Sequence, residues 1–306
     1  MPVPIRHIPF LPLALVLAAA CGAPTPASAP TTGAASGTLF IVGGGTQPPA
    51  MVARFVELAG GAGRARIAVL PMASDAAAES GAEKAEQLRR LGADAFVLNV
   101  TRAQAQGDSA AALLASATGI WFGGGDQARL TAAIRGTPVI TAIRERWRAG
   151  AVVGGTSAGA AVMSDSMMTG NQRKAGEDTI GYHGDEYPRI VRGSIEIVPG
   201  FGFLPGAVVD QHFLRRERHN RLLSVVLERP ALLGVGIDES TALLVHGDGR
   251  WTVEGESAVL VVDARAARVS DREAPLLGAA EVRLHLLPAG SAFDPRTGRA
   301  ALPPGR

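Results

Sequence analysis

The sequence of 306 residues contains a single cysteine, Cys21. A disulfide within one chain is therefore excluded, and a metal site built on several thiolates goes with it. Charge is also scarce. Charged residues make up 19%, and 30 Lys and Arg nearly balance 28 Asp and Glu. A formal net charge of +2 lacks the basic excess that nucleic-acid binding draws on, so nucleic acid is not an expected partner. No H-E-x-x-H is present, so no metal is expected. No G-x-x-x-x-G-K-[ST] occurs, and "GGGTQ" and "GGGDQ" lack the G-x-G-x-x-G spacing. Nothing calls for a cofactor, and there is no internal repeat.

What is present begins with an export signal. Arg6 precedes an apolar run, Ile8 to Ala20, that ends in "LVLAAAC". The run is short for a membrane span, and Pro9 and Pro12 interrupt it. Residues 1–20 therefore read as a signal peptide. One cleavage site lies before Cys21, where the sequence resembles a lipobox and Cys21 becomes the lipidation site of a lipoprotein. The other follows Ala27-Ser28-Ala29. Both place the protein in the periplasm or outside the cell, and a lipid on Cys21 would be its only membrane link. Residues 21–37, rich in Pro, Ala, Ser and Thr, read as a flexible tether.

From Thr38 strands and helices alternate. "TLFIVGGG", "ARIAVLP", "ADAFVLNV", "TGIWFGGGD" and "AVVGG" read as strands. Between them, Ala50–Gly60, Ala76–Leu91, Ser109–Ala117 and Gln127–Arg148 carry helical spacing, the last broken near Pro138. Continuous apolar strands alternating with helices predict an α/β fold, a three-layer sandwich with a mostly parallel central sheet. Met167 to Pro188 reads as a long polar loop, Gly206–Phe213 as a strand and Arg216–Glu228 as a helix. A β-hairpin-rich C-terminal part follows. The expected organisation is one α/β domain over residues 38–295 and a loosely held tail over 296–306.

Gly155-Thr156-Ser157-Ala158-Gly159 fits G-x-S-x-G between a strand and a helix. Such a turn is sharp and lifts the serine oxygen over the sheet edge. Ser157 is the candidate nucleophile. The amide of Ala158 and one from the Gly123–Gly125 turn, taken as Gly124, are the candidate oxyanion donors. A serine nucleophile needs a base. His212 is favoured because it ends a strand. His183 is held in reserve, His219 and His246 lie on a helix and a hairpin, and His285 reads as a packed strand residue. Asp238 and Glu239, in "GVGIDES", both qualify as the acid that orients the histidine. Asp210, two residues before His212, could order the site or hold a substrate amine. Arg215, Arg216, Arg218 and Arg221 read either as a solvated face or as a carboxylate-binding set.

"FGGGDQ", "GGTSAGA", "DQHFLRRERHNRL" and "GIDES", in this order, resemble the cyanophycinases of the S51 serine peptidase family. The resemblance runs from about Thr38 to Gly247. It implies a class I glutamine amidotransferase-like fold with a Ser-His-Glu triad: Ser157, His212 and Glu239. It also implies that Gln127, Asp210, Gln211, Arg216, Arg218 and Arg221 bind a β-aspartyl unit. The implied substrate is cyanophycin, a poly-aspartate with arginine on each side chain, cut into β-Asp-Arg dipeptides by a homodimer. Two competing readings remain. One is an Asp-X dipeptidase of the same family. The other is a non-catalytic lipoprotein that binds acidic peptides.

Overall fold

The computed structural model describes Met1 and residues 37–173, 179–184, 186–271 and 273–305. Cys21, and the signal and tether expected before Gly37, fall outside the described residues except for Met1 and Gly37 themselves. The first half runs β1 (Leu39–Val42), α1 (Pro49–Leu58), β2 (Arg66–Leu70), α2 (Ala77–Arg90), β3 (Asp94–Val97), α3 (Arg102–Ala105), α4 (Asp108–Ala112), β4 (Gly119–Phe122), α5 (Gln127–Ile134), α6 (Pro138–Arg148), β5 (Val152–Thr156) and α7 (Ala158–Ala161). The second half runs β6 (Ser166–Gln172), β7 (Ile195–Pro199), β8 (Ala207–Gln211), α8 (His219–Glu228), β9 (Leu233–Ile237), β10 (Thr241–Val245), β11 (Trp251–Gly255), β12 (Ala258–Asp263), β13 (Arg268–Val269), β14 (Ala279–Ala280), β15 (Arg283–Pro288), β16 (Ala292–Asp294) and β17 (Arg299–Ala301).

Five parallel strands, in the order β3-β2-β4-β5-β1, form the heart of the central sheet. Antiparallel β10, β11, β16 and β17 extend it beyond β1. Alternate side chains serve two helix layers, as a period of two requires. Phe40, Val42, Ile67 and Val69 meet Met51, Val52, Phe55 and Val56 of α1 and Leu88 of α2. Leu39, Ile41, Ala68 and Leu70 face the other way, toward Leu130, Ile134, Val139 and Ile143 of α5 and α6. Each fully buried Val, Leu, Ile or Phe contributes about 1.5–3 kcal/mol. With both faces covered, the strands can be apolar at every position.

A second sheet, β15-β12-β9-β8, carries the later chemistry. Val209, Val235, Ile237, Val259 and Val261 turn into the larger core. Val208 and Val262 turn outward, against Leu222, Val225 and Val226 of α8.

Several boundaries differ from the expectations above. The polar stretch after Met167 is not all loop: β6 pairs antiparallel with β7. Only two Met residues and polar groups occupy "SMMTGNQ", so composition conceals the strand. The helix expected over Ser109–Ala117 is the short α4, preceded by α3. The helix expected from Arg216 begins at His219, because Glu217 takes φ 52° and breaks the helical path. The tail expected to be loose is held in part, since β17 pairs with β16.

Candidate active site

The C-terminal ends of β1, β4 and β5 meet at one edge of the sheet, where open α/β sheets form their sites. Ser157 follows β5 directly, with φ 53° and ψ −110°. A non-glycine residue held in such a conformation stores about 1–3 kcal/mol and points to a function. Small neighbours make the turn feasible. A Cβ on Gly155 would lie 2.6 Å from Gly159 O, and one on Gly159 would lie 2.3 Å from Phe122 O. The Ser157 amide donates to Val42 O at 3.1 Å, and its carbonyl accepts from the Ala160 and Ala161 amides at 2.9 and 3.0 Å. Ala158 opens α7, with its amide beside the serine. Gly124 passes close by, its Cβ position 3.7 Å from Ser157 Cβ.

His212 follows β8, and its own amide donates to Gly43 O at 2.7 Å. This ties the second sheet to the end of β1. The His212 ring places Nε2 2.8 Å from Ser157 Oγ and Nδ1 2.6 Å from Glu239 Oε1. A carboxylate only accepts, so Nδ1 carries the hydrogen and Nε2 is left to accept the serine hydroxyl. Burial lowers the His212 pKa below its ordinary 6.5. The bond to Glu239 opposes that shift, while Arg216 and Arg218 reinforce it by repulsion. The ring is accordingly neutral at neutral pH.

The glycines after β1 make room for this pair. A Cβ on Gly44 would stand 2.3 Å from His212 Cε1, and one on Gly45 would stand 2.9 Å from Glu239 Oε2. Asp238 faces elsewhere. It accepts from the Arg215 amide at 2.9 Å and from Ser257 Oγ at 2.7 Å. The other histidines among the described residues lie outside these bonds. His219 packs edge-on against Phe213, His246 Nε2 is 2.8 Å from Thr252 Oγ1, and the His285 ring packs against Phe293. His183 stays in the loop between β6 and β7.

Ser157 and His212 open into a cleft of about 980 Å³, also lined by Gln127, Gln211, Arg216, Arg218 and Arg221. Arg216 is exposed and lines the cleft. Arg218 Nη1 donates to Gln211 O at 2.8 Å and also to Gln211 Oε1. Gln127 Nε2 donates to Met168 O at 2.9 Å and Thr169 O at 2.7 Å, fastening α5 to β6.

Asp210 requires a correction. Its exposure is 0%, and both oxygens are taken by Arg221, at 2.8 Å from Nε and by a second bond from Nη2. It cannot hold a substrate amine; it fixes Arg221. Burial works against the Arg221 charge, but the Asp210 carboxylate outweighs it and raises the pKa above the ordinary value. Arg221 Nη1 also donates to Tyr187 OH at 2.8 Å, and the guanidinium lies 5.1 Å from the centre of that ring.

Sequence reasoning missed Tyr187, which holds Arg221, and it missed Thr169, Asn171 and Glu196, which line the cleft from β6 and β7. It also missed support behind the serine. Gln47 Nε2 donates to Thr156 Oγ1 at 3.3 Å and its Oε1 accepts from Lys84 Nζ at 2.5 Å, while burial brings the lysine pKa down to about 8. None of these residues sits in a spaced motif, so only the folded chain reveals them.

The model of peptidase family S51 matches residues 39–252. A cyanophycinase of Trichormus variabilis is 36% identical over 242 residues, 76% of each chain. A cyanophycinase of Geminocystis herdmanii is 35% identical over 252 residues, covering 80% of this chain and 87% of that one. The crystal structure of a peptidase from an acI-B1 Actinobacterium shares the fold, with a TM-score of 0.63 at 24% identity over 86% of this chain and 98% of that one. The chain therefore belongs to peptidase family S51: it is a cyanophycinase-like, serine-type peptidase with the class I glutamine amidotransferase-like α/β fold.

Proposed function

We propose that the protein is an exopeptidase that cleaves cyanophycin, or a related β-aspartyl peptide, into β-Asp-Arg dipeptides through Ser157, His212 and Glu239. The observation that carries this reading is the pair of hydrogen bonds in series, Ser157 Oγ to His212 Nε2 at 2.8 Å and His212 Nδ1 to Glu239 Oε1 at 2.6 Å.

Ser157 Oγ attacks the carbonyl carbon and its proton passes to His212 Nε2. The amides of Ala158 and Gly124 receive the developing oxyanion, each worth about 10²–10³ in rate where such a donor acts. Glu239 holds the tautomer and stabilises the imidazolium. The intermediate collapses, the proton moves from His212 to the leaving amine, and an acyl-enzyme remains. Water, deprotonated by His212, then releases the acid and frees the serine. Arg216 meets substrate carboxylate directly, while Arg218 and Gln211 shape the pocket floor above the Asp210–Arg221 pair.

Purified protein incubated with cyanophycin and with Asp-Leu, followed by mass analysis, tests the reading. Release of β-Asp-Arg from cyanophycin by the native protein and not by Ser157→Ala supports it. Cleavage of Asp-Leu alone would favour an Asp-X dipeptidase, and unchanged turnover by Ser157→Ala would end the proposal. Export, lipidation at Cys21 and assembly as a homodimer belong to the same proposal. They rest on residues 1–36 and on the family resemblance, and cell fractionation with size measurement tests them.

A further inference from the structure

The cleft that holds Ser157 carries charge of both signs. Arg216, Arg218 and Arg221 line it together with His212, and Glu196 lines it from β7. The β6–β7 register pairs Met168 with Ile197 and, after an irregularity, Gln172 with Ile195, which leaves the stretch from Thr169 to Asn171 opposite Glu196. Thr169 Oγ1 donates to Glu196 Oε2 at 2.7 Å, and Asn171 Nδ2 donates to the same oxygen at 2.9 Å. A carboxylate oxygen has two lone pairs, so Oε2 is filled. Among the described residues no hydrogen bond reaches Oε1, and no cationic side chain lies within 4.0 Å of the carboxylate.

An acidic group fixed in place by neutral donors, with one oxygen still open, is a ready partner for a cation. We infer that Glu196 is the specificity residue for a positively charged side chain on the substrate, carried at the opposite end of the unit from the carboxylates that the arginines take. The inference rests on the β-aspartyl peptidase reading and adds to it the feature that selects basic side chains. The geometry also says how the cation is read. A two-pronged guanidinium grip needs both carboxylate oxygens, and Oε2 is already occupied. Oε1 alone offers one strong acceptor, which suits an ammonium as well as a guanidinium. Glu196 reads positive charge rather than the planar fork.

The test compares kcat/KM on β-aspartyl peptides that differ only in the side-chain amino acid: arginine, lysine or citrulline, the last a neutral near-isostere of arginine. A charge-assisted hydrogen bond predicts that arginine and lysine are cleaved within a few-fold of each other and about 10- to 100-fold better than citrulline. In Glu196→Gln the arginine-to-citrulline ratio collapses toward one, and Glu196→Asp restores part of it. A native ratio near one, a ratio that survives in Glu196→Gln, or lysine falling to the citrulline level would each overturn the inference. Equal cleavage of arginine and citrulline peptides would do so while leaving the β-aspartyl reading intact. Failure to cleave any of the three would sink both.

Discussion

Asp238 and Glu239 are neighbours with the same chemistry and different positions. Parallel pairing of β8 with β9 sets Gln211 beside Ile237, so His212 and Asp238 leave their strands side by side. Asp238 is spent on the Arg215 amide and Ser257, and the next residue reaches the imidazole. Glu239→Gln is expected to lower kcat by about 10³–10⁴, because the amide no longer enforces the tautomer. Asp238→Asn should keep kcat within a few-fold and lower unfolding stability by about 1–3 kcal/mol. Steady-state kinetics and denaturant unfolding on the two variants separate them. The pH profile carries a second expectation. The base must be neutral, and burial lowers the His212 pKa, so the acid limb of kcat/KM should have its midpoint below 6.5. Arg216 contributes to that lowering. Arg216→Gln should therefore move the midpoint upward, whatever it does to the rate itself. A downward shift would contradict the electrostatics. At this scale Ser157 was legible, since one serine stood between a buried strand and a small-residue helix. His212 was legible only as the histidine at a strand end. The acid was not separable from Asp238 without the family resemblance, because sequence adjacency hides which carboxylate faces the ring.

Elements explain where reading by pattern succeeds and where it stops. β1 to β5 could be read because burial on both faces makes their positions apolar, except at strand ends such as Arg66, Asp94 and Thr156. β6 and β7 could not, because they border the cleft and present Thr169, Asn171 and Glu196 to it. The same exposure that disguises them as loop gives them the side chains that line the cleft. The turn after β1 shows the reverse case. Its glycines stand out in the sequence but lack the spacing of a phosphate-binding loop, and what they provide is space: the His212 ring occupies the place of a Gly44 side chain. Gly44→Ala must displace that ring, and a misplacement of about 1 Å costs on the order of 10²-fold in rate. Gly63 offers a matched control, with φ 75° and nothing within 4 Å of an added Cβ. Gly63→Ala should lower the melting temperature and spare kcat, while Gly44→Ala should lose kcat. Thermal melts run beside kinetics decide the point.

Across the whole molecule, the site joins two sheets. The serine comes from the parallel half, the histidine and the acid from the strands added after it, and the bond from His212 N to Gly43 O spans the seam. No local pattern contains this meeting; only the closing of the second sheet on the first produces it. Beneath the cleft, Asp210 on β8 and Arg221 on α8 form an ion pair with 0% and 2% exposure. Breaking such a pair leaves one charge buried without compensation, which costs about 3–5 kcal/mol, while replacing both members by apolar residues of similar size is often neutral. Arg221→Ala is therefore expected to lose stability by that amount. Asp210→Leu combined with Arg221→Met should recover most of it. Function should not follow. The double variant also removes the cation that Arg221 brings to the cleft and the anchor for Tyr187 OH, so KM for a β-aspartyl peptide should stay raised in a fully folded protein. A double variant with both stability and KM restored would show that the pair only holds the fold. Restored stability with a raised KM would show that a buried ion pair, unable to touch substrate through Asp210, sets the charge that the substrate meets.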